Sequence, residues 1–269
     1  MRVLTGKVKA LAKEWGADLV GVAPIERLTD SPAPWEPGSL LPQTRTLLSL
    51  GIRINRTVQA VHLLDRSDLP FSRFACSAPD DRLDQIAAQV SNFLEDMGHD
   101  ACPLPASEPL SQWIHGGALF SHRYAAIAAG LGQPGWSSNL ITLEAGAGIR
   151  LSTVLTSAEL IPDPLPREEL CHRCMACVKA CPAGAISLQE AVPVRVGGLT
   201  YFCASRSLPR CLWGCSGLPL PPPELPEETS LPQALGLLSE ALSSRASLPV
   251  PLDFSRCGRC QAICYPRRP

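Results

Sequence analysis

The stretch Cys171-His-Arg-Cys174-Met-Ala-Cys177-Val-Lys-Ala-Cys181-Pro182 decides how the C-terminal part of the chain folds. Its pattern is C-x2-C-x2-C-x3-C-P. Three cysteines at two-residue gaps fit on one tight turn and can hold three corners of a four-iron, four-sulfide cube, while the fourth cysteine leads away on a helix. The stretch therefore predicts an iron–sulfur site.

A second cysteine group lies near the C-terminus, in Cys257-Gly-Arg-Cys260-Gln-Ala-Ile-Cys264-Tyr-Pro266. In bacterial two-cluster ferredoxins the fourth cysteine of one run ligates the other cluster. We therefore expect a bacterial two-cluster ferredoxin-like domain in which the two groups exchange their last cysteines. The first 4Fe-4S cluster would take Cys171, Cys174, Cys177 and Cys264. The second would take Cys181, Cys257, Cys260 and one further cysteine.

Three cysteines between the two groups compete for that last position, namely Cys203, Cys211 and Cys215. Cys211 and Cys215 are four residues apart and would share a face if that segment is helical. A redox dithiol is an alternative role for that pair. Cys76 and Cys102 stand alone in the N-terminal half, where we expect them to act as small buried apolar side chains.

Zinc is one alternative to iron, because two C-x2-C pairs can form a tetrahedral site of four thiolates. The C-x2-C-x2-C-x3-C-P run has more closely spaced thiolates than one zinc ion needs. Disulfides are the other alternative, and they persist in oxidising compartments. The start, MRVLTGKVKALAKEWG, lacks the apolar core of a signal peptide, so we expect a cytoplasmic protein whose twelve cysteines are reduced.

Composition and charge restrict the class of protein. The 269 residues are 45% hydrophobic and 18% charged, which is typical of a globular protein whose core needs no disulfide bonds or structural metals for stability. The formal net charge of -1 offers no broad attraction to nucleic acid or anionic lipid. No stretch approaches the length of an apolar membrane span. We therefore expect neither a nucleic-acid partner nor a membrane.

Helix and strand patterns alternate through the N-terminal half. Leu4, Val8 and Leu11 recur at three- and four-residue steps, which indicates an amphipathic helix. We expect helices at 3–15, at 80–97 with Asp80 or Asp81 as the cap, and at 121–131. Strands are expected at 17–22, 46–54, 101–105, 140–143 and 149–156.

A proline-rich run, residues 161–166 (IPDPLP), can continue neither a helix nor a strand, because proline fixes φ and lacks an N–H. We place a domain boundary there. The sequence predicts an α/β domain at 1–160 that holds the cofactor or substrate site. A cluster domain follows at 161–269, with an insertion at about 204–255.

Beyond its cysteines, the chain resembles the epoxyqueuosine reductase-like group of double-cluster iron–sulfur proteins, whose wider relatives include reductive dehalogenases. The matching stretches are LAKEWGADLVGV at 11–22, residues 83–105 ending in LEDMGHDACPLP, and SHRYAAIAAGLGQPGWSSNL with the following residues to 160. The resemblance implies an α+β nitroreductase-like N-terminal domain that can hold a corrinoid against the clusters. It also implies a lone cysteine shortly before a basic residue, which Cys203-Ala-Ser-Arg206 matches, so it favours Cys203 as the eighth ligand.

The chain departs from the epoxyqueuosine reductase pattern in three ways. Those tRNA-modifying enzymes carry an acidic catalytic residue before the alanine-rich helix, whereas residues 113–120 read WIHGGALF without a carboxylate. Gly135-Trp136 stands where the group has a Gly-Lys pair, and no helical-repeat tail for tRNA follows Cys264 in this sequence. We therefore do not expect tRNA as the substrate.

Three side chains near the missing acid are candidate catalytic residues. His115 and His122 flank that region, and a histidine suits proton transfer at neutral pH. Tyr124 is the third candidate proton donor. The sequence names no residue that would bind a corrinoid or a flavin.

The predicted function is that of an iron–sulfur oxidoreductase. Two 4Fe-4S clusters would pass electrons to a reductive site in the N-terminal domain, where a corrinoid or, as second choice, a flavin does the chemistry. A ferredoxin- or flavodoxin-type protein would donate the electrons, and the substrate would be a small molecule. The alternative is a ferredoxin-type electron-transfer protein or accessory subunit without a catalytic site of its own.

Overall fold

The fold is described from a computed structural model that covers residues 1–32, 39–64, 69–107, 120–215 and 257–264, with single positions at 233, 236, 237 and 240. The helices described in chain order are α1 (Arg2–Glu14), α2 (Arg56–Leu63), α3 (Leu69–Phe71), α4 (Ala78–Asp96), α5 (His122–Ala128), α6 (Ala176–Lys179), α7 (Leu208–Cys215) and α8 (Arg259–Ala262). The strands are β1 (Leu19–Pro24), β2 (Thr46–Arg53), β3 (Ala101–Leu104), β4 (Gln133–Pro134), β5 (Leu140–Ile141), β6 (Ile149–Thr156), β7 (Ile186–Val196) and β8 (Leu199–Arg206).

A four-stranded sheet forms the centre of the N-terminal part. Its strand order is β1-β2-β6-β3, and each neighbouring pair is antiparallel. In β2, Leu48 and Leu50 face one side and Leu47 faces the other, because side chains alternate across a strand. Both faces are therefore apolar and need covering helices.

The helices α1 and α4 cover the first face of the sheet. Their apolar stripes, which include Val8 of α1 and Leu83, Ile86 and Leu94 of α4, are fully or almost fully buried against the sheet. The match between stripe and sheet explains why these two helices were predictable from periodicity.

The second face carries α5 and the β7–β8 hairpin. Helix α5 is rich in buried alanines and approaches β1 so closely that a Cβ at Gly21 would lie 2.4 Å from the Ala129 carbonyl oxygen. Val194, Val196 and Cys203 of the hairpin belong to the same core. The hairpin thus ties the cysteine-rich part to the N-terminal sheet.

The proline-rich run at 161–166 is anchored to the edge of the sheet. Asp163 exchanges hydrogen bonds with Val22, from Val22 N–H to Asp163 Oδ2 at 2.8 Å and from Asp163 N–H to the Val22 carbonyl at 2.9 Å. Lys9 Nζ lies 2.7 Å from Asp163 Oδ1. The segment therefore covers the outer edge of β1 and is not a free linker.

Two features differ from the sequence prediction. Helix α4 begins at Ala78, directly after a π-helical segment at Ser72–Ser77, so neither Asp80 nor Asp81 is its cap. The prediction also missed the β7–β8 hairpin, and residues 204–215, which it assigned to the insertion, lie in β8 and α7. Within the described part of the chain, no helix has both the length and the apolarity to span a bilayer.

Candidate iron–sulfur site

The two cysteine groups have the same local backbone. Met175, after Cys174, and Gly258, after Cys257, are both left-handed, with φ of 58° and 55°. Each caps a short helix, α6 or α8, whose first turn holds the next cysteine of its group. The last cysteine of each group, Cys181 or Cys264, lies two residues beyond the end of the helix. The site is therefore built from two copies of one turn-and-helix unit.

Cys264, the last cysteine of the C-terminal group, lies among the cysteines of the first group. Burial, together with the nearby thiols of Cys171, Cys177 and Cys174, raises the pKa of its thiol to about 11. The Ala147 N–H donates to the Cys264 carbonyl at 3.0 Å and fixes this end of the chain. This is the arrangement that the expected exchange of last cysteines requires.

Cys181 shows the reciprocal placement. A hydrogen bond from the Cys215 thiol lowers the pKa of Cys257, whose neighbours also include Cys260 and Cys181. Burial raises the pKa of Cys260, which likewise has Cys181 as a neighbour. The last cysteine of the first group thus lies with the C-terminal pair.

The three candidates for the eighth ligand lie in different places. Cys203 is fully buried in β8, where its neighbours are Ser138, Arg123 and Cys171. Cys215 has Cys211 and Cys257 as neighbours, and Cys211 is a neighbour of Cys260. Arg123 lies near both Cys203 and Cys260. The assignment of Cys203 therefore stays a prediction.

Backbone and amide N–H groups point at three of the sulfurs. The Trp136 N–H lies 3.3 Å from Cys171 Sγ, and the Ala185 N–H lies 3.2 Å from Cys181 Sγ. The Asn139 side-chain amide lies 3.4 Å from Cys260 Sγ. Such hydrogen bonds stabilise thiolates and tune cluster potentials. The donor set, all thiols with N–H groups on the sulfurs, fits iron–sulfur clusters.

The described residues do not form a site for one metal ion. Among them, no group of three or more His, Cys, Asp or Glu side chains is arranged to hold a single ion.

Two arginines lie beside the second group. Arg123 donates from Nη1 to the Ser138 carbonyl at 2.8 Å, and burial together with nearby Arg206 lowers its pKa. Cys260 and Cys203 are further neighbours of Arg123. In the ion pairs recorded for the described residues, neither Arg123 nor Arg206 has a carboxylate partner. Their positive charge favours a negative group at the cysteines.

The three predicted catalytic side chains lie in the N-terminal part or outside the described residues. His122 Nε2 lies 2.9 Å from the Pro105 carbonyl, and Nδ1 lies 2.9 Å from Thr153 Oγ1. Burial lowers the pKa of His122 to about 4. Burial raises the pKa of Tyr124, which packs against the core of the sheet. His115 lies outside the described residues. Their catalytic roles stay predictions.

The segment from Trp136 to Asn139 contributes to the site, and the sequence analysis missed its part. Ser138 is left-handed, with φ of 62°, its carbonyl accepts a hydrogen bond from Arg123, and its side chain is a neighbour of the Cys203 thiol. The Trp136 indole N–H donates to the Ser187 carbonyl at 3.0 Å, and Arg173 lies 5.2 Å from the Trp136 ring centroid. The sequence showed only that a Gly-Lys pair was missing here.

Comparisons with known proteins extend this picture. A family model for a 4Fe-4S binding domain matches residues 165–187. The tetrachloroethene reductive dehalogenase of Dehalobacter restrictus is 36% identical over 110 residues, which cover 39% of this chain and 18% of that protein. The epoxyqueuosine reductase of Synechococcus sp. is 36% identical over 107 residues, which cover 40% of this chain and 29% of that protein. The matches thus span less than two thirds of these relatives.

A solved structure shows the likeness over most of the fold. A reductive dehalogenase structure, described with a mechanism for B12-dependent dehalogenation, matches with a TM-score of 0.56 at 16% identity. The match covers 95% of this chain and 35% of that chain. It shows a shared fold, here a mixed α/β part joined to a ferredoxin-like motif. Together these findings show that the chain is similar to epoxyqueuosine reductases and to reductive dehalogenases, and that it contains a 4Fe-4S binding domain.

Proposed function

We propose that this protein is an oxidoreductase that passes electrons through two 4Fe-4S clusters to a reductive site in the N-terminal domain. One observation carries the proposal. Cys264 lies among the cysteines of the first group, and Cys181 lies with Cys257 and Cys260 of the second. Because each motif lends a thiolate to the other cluster, the two clusters are neighbours and electrons can pass between them.

The proposed ligand sets follow from these neighbours. The first cluster takes Cys171, Cys174, Cys177 and Cys264. The second takes Cys181, Cys257, Cys260 and, as the eighth ligand, Cys203, with Cys211 and Cys215 of α7 as the alternatives.

The second motif is docked directly on the N-terminal part. The Gln261 side-chain amide donates to the Ile149 carbonyl of β6 at 2.9 Å, and His62 Nε2 is hydrogen-bonded to the Cys257 carbonyl. Ala262 is buried in a cluster with Phe71 and Ile54. Short, packed connections of this kind support electron delivery from the clusters into the N-terminal domain.

A corrinoid is the group proposed for the reductive site, by likeness to the dehalogenase whose description names B12. When bound, it would supply cobalt redox chemistry that side chains lack. His122 does not suit a cobalt ligand, because both its ring nitrogens are already within hydrogen-bond distance of protein oxygens. A corrinoid would thus depend on shape and backbone contacts, and we derive no step through it.

An electron-transfer protein without its own catalytic site is the second candidate. The contacts of the two described candidate acids favour it, because His122 is bonded at both nitrogens and Tyr124 packs into the core. In that case a partner protein would carry out the reduction. A ferredoxin- or flavodoxin-type protein would be the proposed electron donor in either case.

Cofactor content separates the two candidates. Protein is purified without oxygen from cells grown with and without cobalamin, and cobalt, flavin and iron are measured per chain. About one cobalt per chain, only in the cobalamin-grown sample, would support the corrinoid-dependent reductase. Stoichiometric flavin would instead indicate that the reductive site holds a flavin. About eight iron per chain with neither cobalt nor flavin, even after incubation with cobalamin, would overturn the reductive site. The protein would then be the electron-transfer protein of the second candidate.

A further inference from the structure

The turn at 135–139, which joins β4 to β5, lies against both cysteine groups. Its Trp136 forms a buried apolar core with Ile186 and Ala204. Cysteines of both groups pack against this core, namely Cys171, Cys177, Cys181 and Cys260. The Gly135 N–H donates to the Asn139 carbonyl at 2.8 Å and closes the turn. A short piece of the N-terminal part thus reaches the sulfurs of both motifs.

The 135–139 turn donates one hydrogen bond to a sulfur of each group. The backbone N–H of Trp136 lies 3.3 Å from Cys171 Sγ, and the side-chain amide of Asn139 lies 3.4 Å from Cys260 Sγ. Any residue except proline supplies a backbone N–H at position 136. The second hydrogen bond comes from a side chain, so it depends on the asparagine itself.

The side-chain amide of Asn139 is oriented by two partners. Besides Cys260 Sγ, its Nδ2 has the Oγ of the buried Ser137 at 3.1 Å. An amide nitrogen carries two hydrogens, so each partner can accept one of them. A thiolate that binds iron has no hydrogen to donate, so the nitrogen of the amide, and not its oxygen, faces Cys260. Ser137 thus holds the amide in the orientation that the sulfur needs.

The backbone of the turn does not itself require asparagine at position 139. Its left-handed residue is Ser138, with φ of 62°. Arg123 Nη1 donates to the Ser138 carbonyl at 2.8 Å, and the Ala204 N–H donates to the Trp136 carbonyl at 2.8 Å. These contacts hold the turn without the side chain of Asn139. A substitution at 139 therefore tests the amide rather than the turn.

We propose that Asn139 is a positioning residue that sets the reduction potential of the second cluster through its hydrogen bond to Cys260. The inference rests on the proposed second cluster, with Cys260 among its ligands. A reduced cluster is more negative than an oxidised one, so an N–H donor on its sulfur stabilises the reduced form more and raises the potential. Asn139 keeps its proton when the proposed donor protein gives the cluster one electron, so no proton is transferred.

Redox titration of variants tests the inference. Wild type, Asn139→Leu, Asn139→Asp and the control Gln43→Leu are purified without oxygen and titrated with detection by electron paramagnetic resonance. The amide of Gln43 contacts Asp100 at 2.8 Å and no sulfur, so this control removes an amide elsewhere. We expect two one-electron transitions in wild type, and the control should match them.

Asn139→Leu should shift one of the two transitions to lower potential and leave the other in place. At the wild-type midpoint, the ratio of reduced to oxidised second cluster should fall about tenfold, which is a shift of about 59 mV for one electron. Asn139→Asp has nearly the same shape but places a carboxylate beside Cys260, so its shift should be larger.

Other results would overturn the role of Asn139. Equal potentials in wild type and Asn139→Leu would do so, and so would an equal shift of both transitions, which a general disturbance of the turn would cause. If Asn139→Leu loses iron, the nearly isosteric Asn139→Asp decides, and an unchanged potential there contradicts the inference. Iron content separates this failure from that of the proposed function. About four iron per chain in wild type would overturn the second cluster itself, whereas about eight iron with unchanged potentials would overturn only the role of Asn139.

Discussion

Met175 and Gly258 occupy equivalent positions in the two cysteine motifs and share a left-handed backbone, with φ of 58° and 55°. Each residue follows a cysteine and caps the short helix that carries the next one. The repeated turn explains how a few residues aim thiols at a common centre twice in one chain. It also makes the two motifs comparable residue by residue, which allows matched variants.

The exchange of last cysteines predicts which double variants lose one cluster and which lose both. Cys174→Ala with Cys264→Ala removes two ligands of the same proposed cluster, so about four iron per chain should remain. Cys260→Ala with Cys264→Ala damages both clusters and should lose more iron. If each motif instead kept its own last cysteine, the two double variants would exchange these results.

The left-handed turns predict different effects of two substitutions. Gly258→Ala should destabilise the protein by about 1 kcal/mol, because the left-handed conformation is unfavourable for a residue with a Cβ. Met175→Gly removes that cost. It also raises the conformational entropy of the unfolded chain, which lowers the free energy of unfolding by a similar amount, so we expect little net change. Thermal unfolding of both variants, purified without oxygen, measures the difference. A Gly258→Ala variant as stable as wild type would contradict the turn.

Arg123 is predicted to raise the reduction potential of the second cluster. Arg123→Gln removes a positive charge near Cys260, and the reduced cluster is the more negative form, so the potential should fall. Arg45→Gln is the matched control, since Arg45 pairs with Glu159 at the surface. A redox titration followed by electron paramagnetic resonance compares the proteins. Equal potentials in wild type and Arg123→Gln would rule out this role.

The buried pair of Asp80 and Arg150 is predicted to stabilise the fold. Arg150 Nε and Nη2 lie 2.7 and 2.6 Å from the two Asp80 oxygens, and the pair joins α4 to β6. Asp80→Asn should cost about 3 kcal/mol of unfolding free energy, because it leaves a buried charge unpaired. The neighbouring Asp81→Asn, which breaks an exposed contact with Arg73, should cost about 0.5 kcal/mol. Urea titrations that gave equal losses would contradict the distinction.

His122 predicts a defined dependence of stability on pH. Its pKa is lowered from 6.5 to about 4 in the folded protein, so the unfolded chain binds this proton more readily. The contribution is complete above pH 6.5 and is lost as the pH falls from 6.5 to 4. His122→Gln should therefore lose less stability than wild type between pH 7 and pH 5 in urea titrations. Identical losses in the two proteins would disprove the assignment.

The sheet and its helices could be predicted from the sequence because their patterns are local. The stripe of α4 and the apolar run of β2 signal buried elements without any knowledge of the partner. The β7–β8 hairpin was harder to see because Phe202 and Leu199 are exposed apolar residues that blur the alternation. Gly197 and Gly198, both with positive φ, are nevertheless a turn signal in the sequence.

The cysteine groups were evident from spacing, but the surroundings of the clusters were not. The N–H groups of Trp136 and Asn139 reach Cys171 and Cys260 across 35 and 121 residues of sequence, and no local pattern reports such contacts. The eighth ligand stays a prediction for the same reason. Cys203, Cys211 and Cys215 lie on β8 and α7, and their distances to the second group depend on how these elements pack.

Iron and acid-labile sulfide per chain test the central claim most directly, measured with zinc on wild-type protein purified without oxygen. Two 4Fe-4S clusters with exchanged ligands predict about eight iron and eight sulfide per chain, with no stoichiometric zinc. About four iron and four sulfide would leave room for one cluster only. That result, or zinc in place of iron, would contradict the account.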